Sequence, residues 1–500
     1  MPSLATTSTH MNWEPRPKDI KKYFHFDANI SGDKLKKLAT NDSYVQTHAF
    51  LPLIRFREKW IKFRKNGERK LKSRPIRYCS RIDAAIFAYH RYKLSEFYEN
   101  YLAKKGISNI PVAYRKIPKS SGGNKSNIEL AKDAFDFIRN TGDCDVTVVD
   151  ISSFFESLDH QKLRDSWEKI IGRNLSAAEI AVLNAVTKYS VVDIEPLFDR
   201  LNMFSRSGKT KLERKLRKID KLKKTHKKRL ATRKELIDLV CGGNAKFPSL
   251  IQKHNLPYGI PQGTPISDIL ANIYLVDFDT RLARWVRKRN GFAYRYSDDI
   301  IVIIPRSENL PFDCAFDYLS ASIGNFGEKV KIKREKTAIG RFISTPSGQI
   351  YTHIYGNSCQ NGIEYLGFQF NGKAVQLKNS TISNAWRKLK KRAHGWAKSW
   401  VKRYRNKGDQ WLLDNAPIQD KATEVLRVLS GEQLKKSTVD DWTFISYVER
   451  AKRCFSDYET RFDQQVKKYK KKTYSLFDTA LEESIKRNGS AKFTKSGGTL

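Results

Sequence analysis

The alternation of apolar and polar residues along the chain predicts both helices and strands. Apolar side chains recur at helical spacing over residues 82–102, and residues 127–139 have the pattern of an amphipathic helix. The glycine-rich sequence at 122–125 predicts a turn between them. From about residue 375 the pattern is helical and basic, and three aromatic residues spaced by four predict the buried face of one helix: Trp396, Trp400 and Tyr404.

Two further stretches have the pattern of buried strands. Residues 146–149 read Val-Thr-Val-Val and are followed directly by Asp150. Residues 292–296 alternate aromatic side chains, and the apolar run 300–304 follows after Ser-Asp-Asp. We therefore predict a strand, a tight turn and a second strand, with the carboxylates of Asp298 and Asp299 at the turn.

The composition further indicates that the chain forms a hydrophobic core and that it binds a polyanion. The 500 residues include 94 Lys and Arg and 53 Asp and Glu, which gives a net charge of +41. The apolar fraction of 40% excludes wholesale disorder, and the length suggests about three domain-sized units. A surface this basic is typical of proteins that bind nucleic acid, although a ribosome-associated or merely basic protein has the same composition.

Several other classes of protein do not fit the sequence. The N-terminal residues lack the apolar core of a signal peptide, and no apolar run approaches the ~18 residues of a membrane span. The six cysteines are scattered and form no C-x-x-C pair, which argues against a zinc site and against a disulfide framework. We expect a cytoplasmic protein with no membrane partner.

The positive charge is concentrated in residues 206–235. This segment has 15 Lys and Arg and three acidic residues, so it carries 15 − 3 = +12, and three apolar residues form one stripe of a basic helix or helical arm. Such a segment is either a solvated arm or a contact for nucleic acid. The candidate contacts are Lys215, Lys218, Lys221, Lys224, Lys227 and Lys228.

The most informative chemistry is the set of Asp residues that end or join predicted strands. Carboxylates at Asp150, Asp298 and Asp299 cost stability unless a cation neutralises them. Oxygen ligands of this kind suit Mg²⁺, which binds one or two carboxylates together with phosphate oxygens and water. Two such ions about 3.5–4 Å apart activate a hydroxyl and stabilise a leaving pyrophosphate. The pattern therefore indicates nucleotidyl transfer.

At this point the sequence resembles the bacterial reverse transcriptases, a group that includes retron, group II intron and defence-associated enzymes. The resemblance covers about residues 70–370, and the motifs occur in the family's order: NIPVAYRKIPKSSGGNKSNIELA, DISSFFESLDH, YGIPQGTPISDILANIYLVDFD, YSDD, KREKTAIG and IEYLGFQF. The defence-associated and abortive-infection enzymes are the most similar type. Two departures are Ser297 in the YSDD box and Asp268, where relatives often carry Ala and Pro.

The resemblance implies a role for individual residues. Asp150, Asp298 and Asp299 are the catalytic acids, and together with Ile151 they form the predicted metal site, for two Mg²⁺ ions or Mn²⁺ as a substitute. Phe155 is predicted to stack under the sugar and exclude a 2′-hydroxyl, whereas Phe154 is a core residue. The other nucleotide-binding candidates are Arg74, Arg77, Arg115, Gln262, Gly263 and Lys336, and the candidate primer grip is Leu366, Gly367 and Phe368.

The implied architecture is an α+β right hand with fingers, a ferredoxin-like palm and a helical thumb. The predicted divisions are an N-terminal extension (1–48), fingers (49–140), palm (141–200 and 246–345), a basic insertion (201–245), a primer-grip hairpin (346–374) and the thumb with the C-terminal region (375–500).

The implied function is synthesis of cDNA from dNTPs on an RNA template, with a noncoding RNA as partner and a role in defence against phage in the bacterial cytoplasm. Whether the protein forms a homo-oligomer is left open by the sequence. Two alternatives also remain open. The same site could make DNA without a template or from a protein hydroxyl, for which Tyr469 and Tyr474 are candidates. Alternatively, the chain is a non-catalytic RNA-binding protein on a decayed polymerase fold.

Overall fold

The computed structural model describes residues 13–63, 69–203, 229–308, 310–356, 358–429, 433 and 443–489. The basic helix predicted within 206–235 and its six candidate lysines (Lys215, Lys218, Lys221, Lys224, Lys227 and Lys228) lie in 204–228, outside the described residues. The described part of the chain contains no helix that is both long enough and apolar enough to span a membrane.

The helices and strands that the sequence predicts within the described residues are present. The helices are α1 Gly32–Ala39, α2 Asp42–Thr47, α3 Arg81–Lys105, α4 Asn127–Thr141, α5 His160–Ile171, α6 Ala177–Thr187, α7 Ile194–Arg200, α8 Ser267–Tyr274, α9 Val276–Arg287, α10 Cys314–Gly324, α11 Asn379–Tyr404, α12 Asp409–Asp414, α13 Ile418–Leu426, α14 Phe444–Cys454 and α15 Phe462–Gly489. The strands are β1 Leu53–Phe63, β2 Arg69–Tyr78, β3 Cys144–Asp150, β4 Ser190–Asp193, β5 Gln252–Lys253, β6 Phe292–Tyr296, β7 Asp299–Pro305, β8 Ala338–Thr345, β9 Gly348–Tyr355, β10 Ile363–Tyr365, β11 Phe368–Phe370, β12 Ala374–Leu377 and β13 Glu459–Thr460.

A five-stranded antiparallel sheet forms the palm, with the strand order β6-β7-β3-β8-β9. Successive side chains of β3 point to opposite faces. Val149 therefore packs into one core with α3, α5, α8 and α9, and Val146 packs into a second core with α4 and the C-terminal helices. Both faces of the sheet are covered, which explains the nearly continuous apolar run of β7.

A second sheet has the order β2-β1-β4-β5, and it joins two strands of the predicted fingers segment, β1 and β2, to two strands of the predicted palm segments, β4 and β5. The basic stretch that precedes α3, for which the sequence predicts no element, forms the long antiparallel hairpin β1–β2. The helix α3 follows, with Ser80 as its N-cap and Gly106 in the left-handed conformation (φ 64°) at its C-terminus. The turn predicted at 122–125 is also present, with Gly122 and Gly123 at positive φ.

The C-terminal region is helical and packs on a third, small sheet with the order β10-β11-β12-β13. The buried face of α11 consists of Ala385, Leu389, Ala393, Ala397 and Val401. The predicted aromatic face is only half-buried, since Trp396, Trp400 and Tyr404 lie beside this stripe and stack on one another and on Trp411. The fold is thus α+β, a right-hand polymerase arrangement with a helical thumb.

Candidate active site

The three candidate catalytic carboxylates meet at one end of the palm sheet. Asp150 ends β3 and Asp299 begins β7, and these two residues are paired in the antiparallel register. Asp298 lies in the two-residue turn between β6 and β7, and its carbonyl accepts a hydrogen bond from the peptide N–H of Ile151 at 2.9 Å. Ser297, the first residue of the turn, has φ 61°, which this kind of hairpin turn requires.

Loss of solvent and the crowding of like charges raise the pKa of two of these carboxyl groups, those of Asp298 and Asp299. Partial loss of solvent is the largest cause at Asp299, followed by the charges of Asp298 and Asp150, and together they raise the pKa of Asp299 to about 7. Loss of solvent and the charge of Asp150 also raise the pKa of Asp298. The ammonium of Lys336 forms an ion pair with Asp150 and supplies part of the missing positive charge.

The donor set fits a hard divalent cation. Carboxylate oxygens are the ligands that Mg²⁺ prefers, and a cation would relieve the repulsion that raises these pKa values. Among the described residues, no group of three His, Cys, Asp or Glu side chains already converges on a single point as a metal site would require. The counter-charge at Asp150 is instead the ammonium of Lys336.

A fully buried ion pair supports the turn from below. The guanidinium of Arg295 binds the carboxylate of Asp279 through two hydrogen bonds of 2.6 Å, and both side chains are 0% exposed. A third N–H of Arg295 donates to the carbonyl of Ser297 at 3.2 Å. Burial alone would lower the pKa of Arg295, but the charge of Asp279 outweighs it and raises the pKa above its usual value.

The G-x-P-Q-G loop lies against both the first motif and the fingers. The peptide N–H of Ile260 donates to the carbonyl of Phe155 at 2.7 Å, and the N–H of Arg77 donates to the carbonyl of Gln262 at 3.0 Å. At Gly263, which has φ 118°, a Cβ atom would lie 2.4 Å from the carbonyl oxygen of Arg77. Only glycine permits this close approach. Phe154 is buried and Phe155 is half-buried.

The two arginine candidates on β2 differ in their surroundings. Arg77 is 8% exposed and donates to the carboxylate of Glu156 at 2.9 Å. Arg74 is exposed and lies opposite Glu58 in the hairpin. Because the backbone of Arg77 also holds the G-x-P-Q-G loop, the hairpin β1–β2 brings the guanidinium of Arg77 to this side of the site.

The prediction that Arg115 binds a triphosphate does not agree with the structure. Its guanidinium is 6% exposed and binds both carboxylate oxygens of Glu99, at 2.8 and 2.6 Å. It also donates to the carbonyls of Ser108 and Pro111. Four of its five N–H groups are therefore used within the protein, and Arg115 fixes the end of α3 to the following loop.

The candidate primer grip is a two-residue hairpin turn between β10 and β11. Leu366 and Gly367 have φ 45° and 94°, the signs that a type I′ turn requires. The side-chain amide of Asn127 donates to the carbonyl of Leu366 at 3.0 Å and to the hydroxyl of Tyr447 at 3.1 Å. Phe368 is fully buried in the thumb core. The turn is thus held by α4 and by the thumb at once.

Sequence reasoning missed several residues of this region. A cleft of about 460 Å³ opens between Asp150, Asp299 and the primer-grip turn, and Lys378 lines it. Lys378 binds Glu364 at 2.9 Å. Burial would lower the pKa of Lys378, but the charges of Glu364 and Asp299 outweigh it and raise the pKa. No family motif contains Lys378, and no local pattern in the sequence distinguishes it from the other lysines of the basic C-terminal region.

The structure shows the contacts of Asp268, the departure from the family pattern, and the burial of the two candidate priming tyrosines. Asp268 binds Arg91 of α3 through two hydrogen bonds of 2.8 and 2.7 Å, which connects α8 to the fingers.

Tyr469 is buried in the thumb core, and Tyr474 is half-buried with its hydroxyl 3.5 Å from that of Thr423. A hydroxyl as deeply buried as that of Tyr469 is a poor candidate for a primer.

Comparison with known families identifies the central part of the chain. Residues 173–370 match the family model described as reverse transcriptase (RNA-dependent DNA polymerase). The match includes Gln262, Asp298, Asp299 and Lys336, and it begins after Asp150. This central part of the chain is therefore similar to a reverse transcriptase domain. No curated protein matches the chain.

Solved telomerase structures are distantly similar. They include apo telomerase from Candida tropicalis truncated from its C-terminal domain (11% identity, 69% of this chain and 59% of that one, TM-score 0.36) and apo telomerase from the same organism (13%, 93% and 73%, TM-score 0.35). Telomerase from Candida albicans in complex with a fragment of telomeric RNA is another (13%, 93% and 65%, TM-score 0.34). The chain spans less than two thirds of the first and the last of these. At these TM-scores the likeness supports no argument about function.

Proposed function

We propose that the chain polymerises dNTPs on an RNA template at Asp150, Asp298 and Asp299. The observation that carries the proposal is the pairing of Asp150 with the Asp298-Asp299 turn on neighbouring strands, within a chain whose central part is similar to a reverse transcriptase domain. Reverse transcriptase domains generally use divalent metal ions. Two Mg²⁺ ions bound by these carboxylates would activate the primer hydroxyl and stabilise the leaving pyrophosphate.

The other residues of the site bind and orient the substrate. Phe155 excludes a 2′-hydroxyl and so selects dNTPs over NTPs. Lys336 exchanges its ion pair with Asp150 for the phosphates of the nucleotide, and Arg77 provides a second cation beside the G-x-P-Q-G loop. Leu366 and Gly367 hold the primer end, and Lys378 faces the same cleft.

The decisive experiment removes the two acids of the turn. The double variant Asp298→Ala, Asp299→Ala should abolish incorporation of labelled dTTP on an oligo(dT)-primed poly(rA) template, because the site loses two of its three carboxylates. Asp277→Ala is the control, since Asp277 is an acid of α9 that is not among the candidate site residues and whose half-exposed side chain pairs with Lys169 of α5. Synthesis by the double variant at the wild-type rate would exclude this site, provided that circular dichroism shows both variants to be folded.

The biological setting that we propose is the one the sequence resemblance implies: a bacterial cytoplasmic enzyme that copies a noncoding RNA in defence against phage. Sequencing the nucleic acid that copurifies with the protein tests this directly. Recovery of one RNA species together with complementary DNA would support it, and a random sample of cellular RNA would contradict it.

We also propose that the basic segment 206–235 contacts the RNA. Replacing Lys215, Lys218 and Lys221 by Gln should weaken RNA binding and flatten its salt dependence, because each phosphate contact that is lost removes about one released counterion from the slope. An unchanged slope would identify the segment as a solvated arm.

A further inference from the structure

Tyr114 stands beside the turn that carries Asp298, and the reaction proposed above does not use it. Its hydroxyl donates to the hydroxyl of Ser297 at 3.4 Å, and Ser297 in turn stabilises the carboxylate of Asp298. Its ring centroid lies 6.3 Å from that of Tyr296. The side chain is nevertheless 43% exposed. A large aromatic ring is thus fixed at the edge of the site with much of its surface open.

The backbone around Tyr114 is fastened to the palm. The peptide N–H of Arg295 donates to the carbonyl of Ile110 at 2.8 Å, and the carbonyl of Arg295 accepts from the N–H of Val112 at 2.9 Å. The side-chain amide of Asn272 donates to the carbonyl of Ala113 at 2.9 Å. The position of the ring is therefore set by the edge of the palm sheet, not by a free loop.

Tyr114 also has an uncommon backbone conformation. Its φ of 63° lies in the left-handed region, which bulky residues rarely adopt. Such conformations persist only where the surrounding structure enforces them, and they cluster at functional sites. The turn of the chain here also separates neighbouring side chains, since Tyr114 reaches Ser297 while Arg115 reaches back to Glu99.

The charges around the carboxylates indicate which part of a substrate meets Tyr114. Lys336 approaches Asp150 from the β8 side of the sheet, and Tyr114 lies at the opposite, β6 side. Phosphates pair with the cationic side. The side of Tyr114 and Tyr296 offers uncharged rings, and rings of this kind pack against bases and sugars.

We propose that Tyr114 contacts the nucleoside at the end of the primer–template duplex and so positions the primer terminus against Asp298. This inference rests on the proposed polymerase function.

Two substitutions separate a contact role from a structural one. Tyr114→Phe keeps the ring and removes the hydrogen bond to Ser297. Tyr114→Gly removes the ring and favours the observed φ, since glycine adopts positive φ without strain. Tyr101→Ala is the control for loss of a half-buried tyrosine, because Tyr101 lies on α3 against Lys105.

The measurement is the dissociation constant of a fluorescent RNA–DNA primer–template by anisotropy, without nucleotides, followed by KM and kcat for dNTP incorporation. Tyr114→Gly should weaken duplex binding by about 10-fold, the effect of losing one stacked base. Tyr114→Phe and Tyr101→Ala should bind the duplex like the wild type, and the KM for dNTP should stay unchanged in all three variants.

Two results would overturn the inference. Either Tyr114→Gly binds the duplex as tightly as the wild type while folded, or Tyr114→Phe loses as much affinity as Tyr114→Gly, which would identify the hydrogen bond and not the ring as the important feature. The polymerase proposal fails separately, if the double variant Asp298→Ala, Asp299→Ala continues to synthesise DNA.

Discussion

The buried ion pair beneath the catalytic turn provides a quantitative test of the structure. Asp279→Asn keeps the shape of the side chain and removes its charge, so Arg295 is left as an uncompensated cation with no exposed surface. The remaining hydrogen-bond acceptors of Arg295 are neutral: the carbonyl of Ser297 at 3.2 Å, and the side-chain and backbone carbonyl oxygens of Asn272 at 3.3 and 3.5 Å. These dipoles replace only part of the lost carboxylate.

The expected cost is large compared with the stability of a domain. Removing one partner of a buried ion pair destabilises a protein by about 3–5 kcal/mol, whereas domains are stable by about 5–15 kcal/mol. Replacing both partners by apolar residues of similar volume is often close to neutral. The double variant Asp279→Leu, Arg295→Met should therefore recover at least about 2 kcal/mol of what Asp279→Asn loses.

Urea unfolding followed by circular dichroism measures the change in stability, and single-turnover incorporation of dTTP measures the effect on the site. Because Arg295 also holds the carbonyl of Ser297, we expect Asp279→Asn to slow incorporation even where the protein is folded. A loss of less than about 1 kcal/mol would refute the reasoning, because it would mean that water or a shifted side chain compensates the charge. A double variant no more stable than Asp279→Asn would refute it as well.

Three other predictions concern the nucleotide site and the thumb. Gly263→Ala should impair incorporation, because its Cβ would lie 2.4 Å from a carbonyl oxygen of Arg77, whereas Gly348→Ala at a similar φ of 116° faces open space and should leave kcat/KM unchanged. Phe155→Ala should raise the use of ATP relative to dATP, measured as the ratio of kcat/KM, and an unchanged ratio would exclude the sugar gate. Hydrogen bonds and a nearby arginine lower the pKa of Glu129 from 4.5 to about 2 despite its burial. Its stabilising effect is therefore complete above pH 4.5 and is lost as the pH falls toward 2. The advantage of the wild type over Glu129→Gln in urea unfolding should shrink over that range.

The parts of the fold that the sequence predicted are those with an unmixed apolar pattern. The strand β7 is apolar on both faces, β3 and β6 are apolar at most positions, and α4 has one clear apolar stripe with Ser126 and Glu129 as a capping box. The hairpin β1–β2 was missed because Arg and Lys occupy both of its faces and hide the alternation. The pairing of Asp150 with the Asp298-Asp299 turn followed from the motifs, since both occur at strand ends.

The contacts between distant segments could not be predicted in the same way. Arg115 pairs with Glu99, 16 residues earlier, and Asn127 bonds to Leu366, 239 residues later. No local pattern distinguishes an arginine that binds phosphate from one that binds a carboxylate of the same protein. Whether such an arginine binds a phosphate or a carboxylate depends on which acidic side chains the fold places next to it. Here the fold places Glu99, in the last two turns of α3, next to Arg115.

Because carboxylates of the protein and phosphates of a ligand compete for the same cations, the net charge of +41 does not measure how many cations are available to bind phosphate. Near the catalytic acids the cations are already paired, Lys336 with Asp150, Arg77 with Glu156 and Lys378 with Glu364. On the exposed side of α11, in contrast, Lys390 and Lys398 form no ion pair with any described residue. Phosphates of a nucleic acid must displace a carboxylate at the centre but only water and counterions on the thumb. Under the proposed function, the basic surface would hold the duplex, while the paired cations would make binding at the centre depend on a correctly placed nucleotide.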